Sequence, residues 1–195
     1  MTLTTSHGQR RAFVAATAAA LLAACADGAR LAPERSPATT APHPNLARGP
    51  VLGACAGLGA PAGSTLALHA YARGVQIYHW TGTGWSFDRP SAVLSADARG
   101  ASTIGTHYRG PTWESVSGGT VVGALLAPPC PVDADAIPWL ALRGTPDGGP
   151  GVFRAVTFIQ RVNTVGGKAP AGPGSYVGEV REVPYTAEYY FWRAP

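Results

Sequence analysis

The sequence contains little charge and almost no lysine. Charged residues make up 13% of the 195 positions, and Lys168 is the single lysine among 15 basic residues. The arginines are scattered and form no stripe or cluster, which argues against a nucleic-acid partner. The low lysine content, together with abundant alanine, glycine and proline, is typical of a GC-rich genome.

Long apolar runs are also absent. The segment from Ala12 to Leu22 is shorter than the roughly 20 residues that a transmembrane helix needs. It follows two arginines and ends in Leu22-Ala23-Ala24-Cys25, an order typical of a lipoprotein signal peptide. The small residues would admit the signal peptidase, and the thiol of Cys25 would carry the lipid. The alternative is an ordinary signal peptide followed by an incidental cysteine.

This reading divides the chain into three parts. Residues 1–24 are the signal peptide, residues 25–50 form a tether rich in proline and alanine, and residues 51–195 form a single domain. Loss of the signal lowers the formal net charge from +4 to about +2. We therefore expect an extracytoplasmic protein that a lipid anchors to the cell envelope, at the outer membrane in a cell that has one.

Cysteine is scarce, with three in the chain. If Cys25 carries lipid, Cys55 and Cys130 remain in an oxidising compartment, which favours one disulfide between them. Two separate free thiols are the alternative.

No amphipathic helix of ten or more residues is evident after residue 24. Short alternating runs separated by glycine and proline turns predict strands instead. The pattern predicts an all-β domain, an antiparallel sandwich or barrel of roughly eight to ten strands. The predicted strands cover residues 65–71, 74–80, 85–87, 102–108, 112–117, 120–127, 137–143, 152–162 and 185–193.

Several unusual segments resemble one family. They are GVQIYHW, GWSFDRPSAVL, HYRGPTWES, AIPWLALRG, VTFIQRVNTVGGKAP and VPYTAEYYFWR. Over residues 65–193 the chain resembles the secreted family called domain of unknown function 3455, which implies no established activity. Relatives often have cysteines where this chain has His79-Trp80 and Gly172-Pro173-Gly174. A bond between Cys55 and Cys130 would therefore be this chain's own arrangement.

Some relatives carry a malate-dehydrogenase label, which would require a dinucleotide site. The segment from Gly57 to Ala62 does match G-x-G-x-x-A. However, Pro61 and Gly63 stand where a helix should begin, and no βαβ unit surrounds the motif. The segment is better interpreted as a glycine-rich entry loop, and no cofactor is predicted.

The best polar cluster in the sequence is His107, Trp113 and Glu114. A turn at residues 108–111 would place His107 and Glu114 on adjacent strands, where a carboxylate could orient a histidine base. The alternative is that both side chains hold the hairpin together. A metal site built from His69, His79 and His107 lacks any ligand spacing, so no metal is predicted.

A second candidate site follows a long strand. Gln160, Arg161 and Asn163 could bind a ligand beside Gly166 and Gly167, which permit close approach. Local hydrogen bonding at a strand exit is the alternative. Exposed aromatic residues on such a scaffold could stack on sugars, although most are expected in the core.

These features favour two functions over a third, which is a purely structural role in the envelope. The first is a non-catalytic, lipid-anchored module that binds a small molecule, a glycan or an envelope partner. The second is an envelope hydrolase that uses His107 and Glu114 as an acid–base pair.

Overall fold

The computed structural model describes residues 48–195. The predicted signal peptide, Cys25 and the tether up to residue 47 lie outside the described residues. Within the described part, no helix is long and apolar enough to cross a membrane.

Eight antiparallel strands form a closed barrel in chain order. Each strand pairs with the next along the sequence, and the last pairs with the first. The all-β prediction is confirmed, and the architecture is a barrel rather than a sandwich. The strands are β1 Thr65–Trp80, β2 Trp85–Ser95, β3 Thr103–Tyr108, β4 Thr112–Ser115, β5 Thr120–Leu125, β6 Leu140–Pro146, β7 Val156–Gly166 and β8 Val180–Arg193.

β1 is one strand of 16 residues where the sequence predicted two. The predicted turn at Gly74 does not form, because the missing side chain lets the neighbouring strand approach. A Cβ at Gly74 would lie 2.1 Å from the carbonyl oxygen of Ser91. β2 likewise continues past the predicted end and through Pro90, close to a bulge at Asp88 where the register shifts.

Side chains fill the barrel interior. Alternate residues of β8 from Tyr185 to Phe191 belong to the main buried cluster, and Trp113 from β4 is 1% exposed. Glycines on the neighbouring strands permit this packing, because Gly123 leaves space for the Trp113 ring and Gly105 lets the backbone of β4 approach closely. A Cβ at Gly123 would lie 2.9 Å from the Trp113 ring, and one at Gly105 would lie 2.2 Å from a backbone oxygen. The interior is thus a packed core.

A second buried cluster lies on the outside of the barrel. A 3₁₀ helix, Gly53–Leu58, packs over Ala141 and Phe158. A disulfide joins Cys55 in this helix to Cys130 in the loop before β6. The cluster therefore attaches the 3₁₀ helix, which precedes β1, to the outer face of β6 and β7.

Candidate functional site

His107 lies inside the barrel, 3% exposed. Its Nδ1 donates to the carbonyl oxygen of Thr112 at 2.9 Å, and its ring stacks on Trp113 with centroids 4.3 Å apart. Burial lowers the pKa of His107 to about 3, so the ring is neutral at ordinary pH. Trp113 is equally enclosed and offers no aromatic surface to a ligand.

Glu114 lies on the opposite face of the sheet from His107. In the β3–β4 ladder, His107 is opposite Trp113 while Glu114 is opposite Thr106, and neighbouring residues alternate between the faces. The Glu114 carboxylate accepts a hydrogen bond from the Tyr108 hydroxyl at 3.0 Å on the exposed side. The expected meeting of His107 and Glu114 is therefore wrong, because the turn sets a register that separates them.

Gln160 and Arg161 are both committed to the protein itself. Gln160 is 1% exposed, donates to the Leu58 carbonyl at 2.7 Å and accepts from the Trp192 indole at 2.8 Å. The Arg161 guanidinium donates to the Pro138 carbonyl at 2.8 Å. Gln160 binds the 3₁₀ helix to the barrel, and Arg161 holds the loop that precedes β6.

Gly166 and Gly167 lie where the backbone conformation and close contacts with β8 require glycine. Both have positive φ, 67° and 79°, which favours glycine. A Cβ at Gly166 would lie 2.7 Å from the Pro184 carbonyl oxygen, and one at Gly167 would lie 2.9 Å from Tyr185. The close approach predicted for a ligand is made instead by Pro184 and Tyr185 of β8.

A hydrogen-bond network centred on Glu188 lies on the outer face of β7, β8 and β1. One carboxylate oxygen accepts from His69 Nε2 at 2.6 Å and from the Tyr190 hydroxyl at 3.2 Å. The other accepts from the Asn163 side-chain amide at 3.0 Å. The His69 ring stacks on Tyr190 with centroids 4.1 Å apart and also contacts the Tyr71 ring, with centroids 4.6 Å apart. These contacts hold Glu188 in one orientation.

Asn163 reaches this network through an unusual backbone conformation. It has a φ of 49°, and it lies in a bulge where the pairing of β7 with β8 shifts between Val162 and Val165. Left-handed backbone at a residue other than glycine costs energy and clusters at functional sites. Asn163, one of the predicted ligand-binding residues, lines a cavity.

This cavity has a volume of about 250 Å³ and lies beside Glu188. The loop between β2 and β3 forms its other wall. Its polar and aromatic lining comes from Tyr71, Arg73, Ser95, Asp97, Asn163, Thr186 and Glu188. An aromatic ring, an amide, a guanidinium and carboxylates thus converge on one concave site, the arrangement expected of a small-molecule site.

Both carboxylates of the cavity are held in the charged form. Asp97 accepts backbone hydrogen bonds from Ala101, Arg99 and Ser102, which lower its pKa. The hydrogen bond from His69 is the main cause that lowers the pKa of Glu188. Neither group is therefore a proton donor at neutral pH.

The family model described as a protein of unknown function, DUF3455, matches residues 61–193. The chain belongs to this family. No curated protein and no solved structure matches the chain. The matched region contains all the residues that line the cavity, whereas Cys55 lies before it.

The histidines among residues 48–195 of this DUF3455 domain do not form a cluster. His69 and His79 lie on one strand, β1, and not on separate strands as predicted, and their ten-residue spacing corresponds to about 33 Å. His107 lies in the interior. Among residues 48–195, no group of three or more histidine, cysteine, aspartate or glutamate side chains is placed to hold a metal ion.

Sequence reasoning did not select Glu188, Tyr71, Arg73 or Asp97. The alternation of β8 does place Glu188 on the outward face, which is a usable signal. Its partner His69 is 119 residues away, and that pairing follows only from barrel closure between β8 and β1.

Proposed function

We propose that this protein is a lipid-anchored cell-envelope domain that binds a small hydroxylated ligand, such as a terminal sugar of a glycan, without catalysis. The observation that carries the proposal is the cavity in which Asn163 and Glu188 are oriented beside Tyr71 and Arg73. Amide, carboxylate and guanidinium groups can each bond neighbouring hydroxyls, and a tyrosine ring can pack on a sugar face.

The size of the cavity supports a small ligand. Its volume of about 250 Å³ lies below the roughly 300–1,000 Å³ of pockets for drug-sized molecules. It suits one ring with its substituents, and a longer glycan would extend into solvent.

The electrostatics favour binding over hydrolysis. Glycoside hydrolysis requires one protonated carboxylic acid near the scissile bond. The pKa values of both Asp97 and Glu188 are lowered, so both are charged at neutral pH. The alternative acid–base pair, His107 and Glu114, lies on opposite faces of the sheet.

Saturation-transfer NMR with the purified full chain and a panel of monosaccharides tests the binding site. We expect at least one sugar to bind, and Glu188→Gln and Asn163→Gly to weaken that binding at least about tenfold, or 1.4 kcal/mol. Glycine tolerates the positive φ at position 163, so this variant removes the amide and spares the backbone. Glu182→Gln, at an exposed glutamate elsewhere on β8, is the control.

Two results would contradict the binding proposal. One is the absence of binding by every sugar in the panel. The other is equal binding by the wild type and the two cavity variants.

The anchor is tested separately by Cys25→Ser. This substitution removes the predicted lipid attachment site and should release the protein from membrane fractions. Unchanged membrane partition and electrophoretic mobility would argue against lipidation at Cys25.

A further inference from the structure

Two segments of the chain, residues 50–63 and 124–132, contain no charged residue and no side chain with a hydroxyl, amide or ring nitrogen. Both are largely exposed nevertheless. Val51 is 90% exposed, and Leu125, Leu126 and Val132 are 54%, 50% and 57% exposed. Extended apolar surface of this kind marks a site for another protein or for a membrane.

The two segments form one surface, which we call the apolar face. The disulfide between Cys55 and Cys130 joins them. Residues of both, including Ala54 and Pro128, line a common cavity of about 330 Å³. Leu52 and Ala127 pack against the same buried cluster beneath it.

The point at which the described chain begins indicates what the apolar face contacts. The first described residue, Arg48, comes directly before the apolar face, and a Cβ at Gly49 would lie 3.0 Å from the Trp192 ring of the same outer cluster. Residues 26–47 separate this entry from Cys25. A segment of this length spans at most about 75 Å. A lipid at Cys25 would therefore keep the apolar face within about 75 Å of the bilayer, and the segment is long enough for the face to contact the bilayer.

We propose that the apolar face lies against the lipid bilayer and orients the barrel on the membrane, an inference that rests on the lipid anchor of the proposed function. The lipid at Cys25 holds the chain at the membrane, and a second contact, made by the domain itself, fixes which side of the barrel faces the bilayer. The face supplies this contact through aliphatic side chains that need no hydrogen-bond partner in the interfacial region.

The structure provides a control surface at the far end of β1. Val177 and Val180 are 72% and 58% exposed, and their segment pairs with Trp80, the last residue of β1. Trp192 pairs with Leu66 near the start of β1, about 45 Å away along the strand. The two apolar surfaces are thus similarly exposed and lie at opposite ends of the same strand.

Site-specific labelling tests the orientation. All three native cysteines are occupied if Cys25 carries lipid, so one introduced cysteine gives a single labelling site. Full-length protein purified from membranes and carrying Leu126→Cys, Val132→Cys or Val177→Cys is labelled with a fluorophore. It is then reconstituted in vesicles of phosphatidylethanolamine and phosphatidylglycerol, and quenching by brominated acyl chains is compared with quenching by aqueous iodide.

We expect labels at 126 and 132 to be quenched by brominated lipid and protected from iodide, and the label at 177 to show the reverse. Leu125→Gln with Leu126→Gln should expose the label at 132 to iodide, whereas Val177→Gln with Val180→Gln should not. Equal iodide quenching at all three positions on vesicle-bound protein would overturn the proposal. It would indicate that the apolar face binds a protein partner instead of the bilayer. Failure of the wild type to sediment with vesicles would overturn the anchor as well, while sugar binding would be unaffected.

Discussion

His107 and Trp113 lie directly opposite each other in the β3–β4 ladder, and their rings stack with planes 6° apart. The pair also contacts the Tyr189 ring from β8, which lies 5.3 Å from each of them. This aromatic cluster connects opposite walls of the barrel. It makes His107 a component of the core, whereas Glu114, seven positions later in the sequence, faces solvent.

Substitution at these two positions should therefore affect stability very differently. We expect His107→Ala to lower the free energy of unfolding by about 2–4 kcal/mol, because it leaves a cavity and removes the hydrogen bond that the imidazole donates to the Thr112 carbonyl. Glu114→Gln on the exposed face should change it by no more than about 0.5 kcal/mol. Urea unfolding of both variants measures the difference, and similar losses in the two would contradict the assigned positions.

The buried histidine also predicts a dependence of stability on pH. The pKa of His107 is lowered to about 3, so between that value and about 6.5 the unfolded chain binds a proton that the folded chain does not. The stabilisation is present above pH 6.5 and is lost as the pH falls, by about 1.4 kcal/mol per unit. We expect this slope between about pH 5.5 and 4.5 in urea titrations of the wild type. In His107→Gln it should be smaller by one proton, and an unchanged slope would disprove the assignment.

The filled interior predicts that alanine is not tolerated at the inward glycines. Gly123→Ala places a methyl group against the Trp113 ring, and Gly105→Ala places one against the backbone of β4. We expect each to cost about 1–3 kcal/mol through overpacking. Gly84→Ala is the control, since no atom lies within 4 Å of its added Cβ and its φ is not positive. Thermal melts in which all three variants match the wild type would indicate a hollow barrel.

The disulfide should contribute measurably to stability. It closes a loop with a sequence separation of 75, and a native disulfide typically contributes about 2–4 kcal/mol. We expect Cys55→Ala with Cys130→Ala to lower the free energy of unfolding by that amount. Thiol titration of the denatured wild type, without reductant, should detect no free thiol from this pair, and two reactive thiols would rule the bond out.

The all-β class and most strand positions follow from the sequence, because alternation of side chains and turn residues act over a few neighbouring positions. The turn predicted at Gly74 from the same local pattern was wrong. A glycine between two alternating runs is typical of a turn. Here Gly74 instead lets two strands approach closely, and only its contact with the backbone of Ser91 distinguishes this role from a turn.

The site required information that the sequence does not display. Whether two residues meet depends on register, and a shift of one position moves a side chain to the other face of the sheet. Register separated Glu114 from His107 and placed Glu188 beside His69, from strands at opposite ends of the chain.

The sequence by itself determined the secondary-structure class, the family and the candidate signal at Cys25, because these depend on composition and on contiguous segments. Tertiary structure alone decided that the strands close into a filled barrel and that Asn163 meets Glu188 at a cavity. Closure of the barrel brings together residues that are more than a hundred positions apart in the chain. The interior must also be filled without overlap, so large rings face inward where a neighbouring strand has a glycine.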